Sequence, residues 1–186
     1  MKSLWFIRTL KLYLSYFEAE KILRRYLVLG AFDGLLVSLS IIIASSISDS
    51  LSSLNLTVLA GVISIVLASL WSTLSVEINE LRVTYRKLEK QLLRPLKGTV
   101  FERAFIITSI IATLTHSLSP LVGLLLLIVF NLTKGLLFTI ILSSLILFSL
   151  GLLYGENLRE NLLSGALMIS FGLISSSIVI ILGGHI

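Results

Sequence analysis

A chain of 186 residues that is 56% hydrophobic and only 13% charged has a mean hydropathy of +1.03. Soluble domains are about 25% charged, so this chain has too few charges to coat a water-facing surface. Despite a net charge of +5 and a pI near 9.7, that argues against a cytosolic enzyme or a nucleic-acid-binding domain. The absence of cysteine rules out a disulfide framework, a thiolate metal cage and a cysteine nucleophile. What remains is an all-α integral membrane protein, small enough to form one bundle in the lipid bilayer.

Residues 1–25 hold six of the fifteen Lys and Arg residues. Within them Leu4–Phe17 mixes Trp5, Phe6, Leu10, Leu14 and Phe17 with Arg8 and Lys11. That pattern predicts an amphipathic helix lying at the inner membrane surface. An ordered cap packed on the bundle fits it equally. No segment has the form of a cleaved signal, because no short apolar core is followed by a small-residue cleavage site.

A membrane-crossing helix needs about 20 mostly apolar residues. Five stretches qualify: 26–47, 56–76, 104–130, 136–154 and 162–182. The third contains Pro120, which removes one backbone hydrogen bond, so this span is expected to tilt or kink. It is not split, since each half would be too short to cross.

Basic segments stay cytoplasmic. The basic N-terminus is therefore inside, and the loop 48–55, without Lys or Arg, is outside. The stretch 77–103, with seven basic residues, is inside. The turn 131–134 falls outside with Lys134 as a mild exception, and Arg159 marks 155–161 as inside. The C-terminus then ends outside. With no organelle signal, this multi-pass topology suits a prokaryotic plasma membrane. In the stretch 77–103, Leu81, Tyr85, Leu88 and Leu92 recur at helical spacing, so the second helix is expected to continue into the cytoplasm until Arg94 and Pro95. Pro95 and Gly98 break it, and the third span begins near Glu102.

Asp33 is the most informative residue. An ionised carboxylate at mid-membrane costs about 2.5–3.5 kcal/mol on insertion scales, and such residues usually face a cavity or a partner. Asp33 is a cation ligand or proton-exchanging carboxylate, or else an interfacial Asp that caps or bonds the adjacent helix. Gly30, Asp33, Val37, Ser40 and Ala44 share one helical face, and Gly61, Ser64, Ala68, Ser72 and Ser75 form a similar stripe in the second span. Stripes of small residues let helices approach closely. A crevice between them would offer hydroxyls, Ser40 and Ser72 among them, and one carboxylate; oxygen ligands suit hard or borderline divalent cations. Plain helix packing explains any single serine as well. One carboxylate makes a poor divalent site and two copies at a two-fold axis a better one, which argues for a homodimer through the first span.

Glu77 and Glu80, just past the inner end of the second span, are either a cation entry station or ordinary solvated helix charge paired with bases such as Arg82. The second is the expectation. His116, in the third span near Pro120, is expected to be packed and hydrogen-bonded rather than a ligand, and Met168 to be packing. His185 is uninformative. No phosphate loop, dinucleotide-binding glycine pattern or paired-His metal motif is present, and no Ser-His-Asp arrangement is credible. The expectation is therefore no enzyme and no permanently bound cofactor. The basic segment obeys the topology rule and also suits contact with anionic lipid.

The stretch Arg25-Tyr26-Leu27-Val28-Leu29-Gly30-Ala31-Phe32-Asp33-Gly34-Leu35-Leu36-Val37-Ser38 resembles the first span of vacuolar iron transporter-like proteins, which read Arg, a few apolar residues, Gly-Ala-Asn-Asp-Gly-Leu, then Ser or Thr. Leu74-Ser75-Val76 before a charged helix, Leu147-Phe148-Ser149-Leu150-Gly151, and Ser164-Gly165-Ala166-Leu167-Met168 followed by Gly172 are similar to that family's second, fourth and fifth spans. The resemblance covers residues 25–184. It implies a five-span, N-in homodimer that exports divalent iron or manganese from the cytosol in exchange for protons, with Asp33 as the pathway carboxylate. The chain departs from the family elsewhere. Phe32 replaces the Asn before the Asp. The stretch Ala68-Ser69-Leu70-Trp71-Ser72-Thr73 lacks the family's Met and Glu, and about 27 basic-rich residues replace a glutamate-rich metal-binding domain. These departures motivate the alternative of a non-transporting structural or accessory subunit, part of a larger membrane complex, that retains the fold.

Overall fold

The computed structural model describes residues 19–93, 95, 97, 100–155 and 157–183. The amphipathic segment Leu4–Phe17, Arg94, Gly98 and His185 lie outside the described residues. Within them the chain is all-helical: α1 Ala19–Ile47, α2 Leu54–Leu92, α3 Val100–Leu118, α4 Leu124–Thr133, α5 Leu136–Leu152 and α6 Leu158–Gly183, with 3-10 turns at Leu51–Ser53 and Ser119–Gly123. Four stretches of the described residues are helical, long and apolar enough to cross a membrane: Glu20–Ile47, Leu51–Leu92, Ile106–Thr133 and Leu158–Gly183. The fourth expected span, 136–154, is shorter than drawn. Its helix α5 has 17 residues, about 26 Å at 1.5 Å per residue, because Leu153 and Tyr154 turn back onto the Leu150 and Gly151 carbonyls.

Helix α1 is the axis of the bundle and packs against each of the other five helices. Its Val28, Ala31, Leu35, Leu39, Ile42 and Ile43 form one core with Leu54, Val58 and Val62 of α2, Leu126, Leu127 and Phe130 of α4, and Leu147 and Leu150 of α5. By contrast α2 and α6 show much of their apolar surface, including Leu56, Leu67 and Trp71 on one and Leu167, Phe171 and Ile181 on the other. Outward apolar side chains of this kind suit lipid rather than water.

The third span breaks more deeply than a kink. Pro120 has no N–H and its ring displaces the carbonyl four residues back. That carbonyl belongs to His116, and the Ser119 hydroxyl donates to it at 2.9 Å. Five residues of 3-10 turn then connect α3 to α4. The break is accommodated because α1 has no side chains where it passes: a Cβ on Gly34 would collide with the Pro120 backbone, and one on Gly123 with the Gly34 carbonyl. Gly151 and Gly165 bring α5 and α6 together in the same way. Met168 packs against the core.

At the end of the bundle with the loop 48–55, the Asn131 amide donates to Asn55 Oδ1 at 2.8 Å, and Lys134 Nζ reaches Asn131 Oδ1 at 3.4 Å. The one basic residue of this turn thus has a local acceptor. Lys134 itself closes α4 in a left-handed conformation, φ 50°, its N–H bonded to Phe130 O at 2.7 Å. Many serines of the apolar helices fold their hydroxyls back onto their own helix, as Ser64 does onto Ala60 O at 2.8 Å and Ser177 onto Leu173 O at 2.8 Å.

Candidate functional site

Asp33 follows from the way α1 is packed. Gly30 lies against the His116 backbone and Gly34 against Pro120. Asp33 is one position before Gly34, about 100° round the helix, and so leaves that contact for the flank of α1. It is exposed there, at the edge of an open cleft of about 480 Å³ lined by Asp33, Leu36, Val37, Ile65, Ala68, Ser69, Ser72 and His116. The cleft lies between α1 and α2, with His116 contributed by α3.

The two small-residue stripes are only partly brought together. Asp33 and Val37 of the first meet Ala68 and Ser72 of the second, and Gly61 admits Val37 and Ile41. Ser40 is not among the cleft residues: its hydroxyl lies 3.1 Å from that of Ser175 in α6. Ala44 is exposed and Gly30 faces α3. The first stripe therefore serves three neighbours rather than one seam, because α1 packs against every other helix. Ser72 lines the cleft while its own hydroxyl donates to Ser69 O at 3.3 Å.

His116 is packed and hydrogen-bonded, as expected, yet it also lines the cleft with Asp33. Its Nδ1 lies 3.1 Å from the Tyr26 carbonyl, and its ring centroid is 5.4 Å from that of Tyr26. A carbonyl only accepts, so Nδ1 must carry the proton. In the neutral ring this leaves Nε2 as the basic nitrogen. The cleft thus combines one carboxylate, one imidazole and the hydroxyl-bearing Ser69 and Ser72. No three His, Asp or Glu side chains come together to hold a metal ion among the described residues.

Glu77 and Glu80 part company. Glu80 is exposed. Glu77 is half-buried and is not an ordinary solvated charge: Tyr26 Oη donates to its Oε1 at 2.5 Å and Ser109 Oγ to its Oε2 at 3.1 Å. One carboxylate so ties α1, α2 and α3 together, with the Arg25 guanidinium 5.4 Å from the Tyr26 ring centroid. Tyr26, Ser69 and Ser109 were not anticipated from sequence. The available signal is the four-residue step: Ser69, Thr73 and Glu77 on α2, and Ser109, Thr113 and Ser117 on α3, each fall on one helical stripe.

No family model, no curated protein and no solved structure matches this chain.

Proposed function

We propose that this chain is a divalent-cation transporter of the vacuolar iron transporter-like kind, exporting iron or manganese from the cytosol by proton exchange through the cleft at Asp33. The observation that carries the reading is the placement of Asp33. It is a carboxylate well inside an apolar helix, exposed in an open cleft beside an imidazole and two serine-bearing positions. An isolated carboxylate facing lipid is costly, so the cleft is filled by water, a cation or a second chain. The resemblance of the Gly30–Ser38 stretch to the family's first span supports the same reading. So does the exposed edge of α1, where Leu29, Asp33 and Ala44 are open to a second copy. In this reading the chain is a homodimer of five-span, N-in, C-out subunits in a prokaryotic plasma membrane, and Asp33 from both copies faces the transported ion.

The test is uptake of Fe²⁺ and Mn²⁺ into liposomes carrying the purified protein. Wild type should take up one of them, and Asp33→Ala should lose at least about tenfold of the rate, since a charge-dependent contact is worth more than 1.4 kcal/mol. Equal rates would remove Asp33 from the pathway, and no uptake of any divalent metal by a folded wild type would end the transport reading.

The second reading is a non-transporting subunit that keeps the fold. The α2 wall of the cleft favours it, because Ala68, Ser69 and Ser72 stand where the family places stronger ligands. A stoichiometric partner retained in mild detergent would decide for it.

A further inference from the structure

Helices α2 and α3 are antiparallel neighbours, and the Ser109–Glu77 hydrogen bond fixes their register. Counting one turn at a time from that bond places Thr73 level with Thr113, and then Ser69 level with Ser117. All four are buried: Ser69 is 6% exposed, Thr73 4%, Thr113 5% and Ser117 1%. Buried hydroxyl-bearing residues are therefore stacked turn by turn along the α2–α3 contact from Glu77 toward the Asp33 cleft, where Ser69 and His116, the neighbour of Ser117, are both lining residues; the Ser117 hydroxyl itself donates to Leu114 O at 3.2 Å. Packing alone does not call for it, since alanine or valine would fill the same space without a polar atom to satisfy. The Thr113 hydroxyl is moreover buried without any hydrogen-bond partner, as is that of Thr108. A threonine in a helix ordinarily bonds its own backbone four residues back. An orphan hydroxyl in such a line is a place for water.

The far end of the line is held by hydrogen bonds. Glu77 is clasped by Tyr26 from α1 and Ser109 from α3, at the end of the bundle that carries the basic stretch.

We propose that the α2–α3 hydroxyl seam is a water-filled access route that releases protons from the Asp33–His116 cleft to the basic end of the bundle, with the Tyr26–Glu77–Ser109 contact as its gate. Release of Glu77 by Tyr26 or Ser109 opens the gate and frees the half-buried carboxylate at the mouth of the seam. Its use for proton exchange rests on the transport reading, but the existence of the seam does not.

The native chain has no cysteine, so single cysteines report access without further engineering. Thr113→Cys and Thr73→Cys probe the seam, and Ile110→Cys, at a position 49% exposed on the apolar side of α3, is the lipid-facing control. Each is placed in nanodiscs, open on both faces, and treated with a charged methanethiosulfonate reagent. The seam thiols should react measurably faster than the Ile110→Cys thiol. Adding Tyr26→Phe should raise their rate by at least about tenfold, because a hydrogen bond to a charged group is lost. Ser109→Ala, a smaller change, provides the same test should Tyr26→Phe fail to fold. Seam thiols as unreactive as the control in every folded background would overturn the seam. Reaction that is already fast and insensitive to both gate variants would overturn the gate. Gated labelling in a protein without cation flux would sink transport and leave the seam. Cation flux with inert seam thiols would do the reverse.

Discussion

The two sides of α1 both carry small residues and do opposite things. On one side Gly30, Gly34 and Ser38 are buried, and the helix meets the Ser119–Gly123 turn backbone to backbone. On the other side Leu29, Asp33 and Ala44 are exposed, and the helix borders an open cleft. Small residues mark both. A stripe of Gly, Ala and Ser therefore says only that something can come close. What separates the packed seam from the open cleft here is the carboxylate, which is costly in an apolar setting and lies on the open side.

The largest effect belongs to the packed side. Gly34→Leu would drive a side chain into the Pro120 backbone. Overpacking a well-filled core costs about 1–3 kcal/mol even when side chains can move, and here the obstacle is main chain. The variant should give no monodisperse folded protein by size-exclusion chromatography in detergent. A folded Gly34→Leu protein with wild-type thermal stability would mean that α1 does not lie against the turn.

How much of this was legible in the sequence follows from what each feature depends on. The long apolar helices were, since run length against bilayer thickness is a local property. Pro120 announced a disturbance, but its depth depended on Gly34 and Gly123 lying together, two glycines far apart in the chain whose contact no pattern reveals. Asp33 stood out because a charge in an apolar run is conspicuous wherever the helix goes. The meeting of Asp33 with His116 in one cleft required α3 to cross α1, and there Gly30 lies against the His116 backbone. Glu77 and Glu80 are one turn apart and locally alike. Only the position of Tyr26 on another helix distinguishes a clasped carboxylate from an exposed one.

That distinction is open to measurement and gives the intermediate effect. Tyr26→Phe removes the hydroxyl from Glu77 while keeping the ring against His116. Hydrogen bonds to charged groups contribute about 1.5–3 kcal/mol, so its thermal midpoint in detergent should fall clearly. Glu80→Gln alters an exposed side chain and should change stability by less than about 0.5 kcal/mol. Equal midpoints for the two variants would return Glu77 to the class of solvated charges.

The smallest effect lies where the two sides of α1 meet. Ser40 shares a helical face with Asp33 but turns to α6, its hydroxyl 3.1 Å from that of Ser175. If this bond is packing and not part of the cleft, it behaves like other hydroxyl pairs between membrane helices, which average about 0.6 kcal/mol in double-mutant cycles. Ser40→Ala and Ser175→Ala should each lower the midpoint slightly, and the double variant should lower it by less than their sum. Neither should change cation uptake. A loss of uptake in Ser40→Ala comparable to that in Asp33→Ala, without loss of stability, would extend the cleft along α1 to Ser40. The boundary between the packed and the open side would then fall one turn further along the helix.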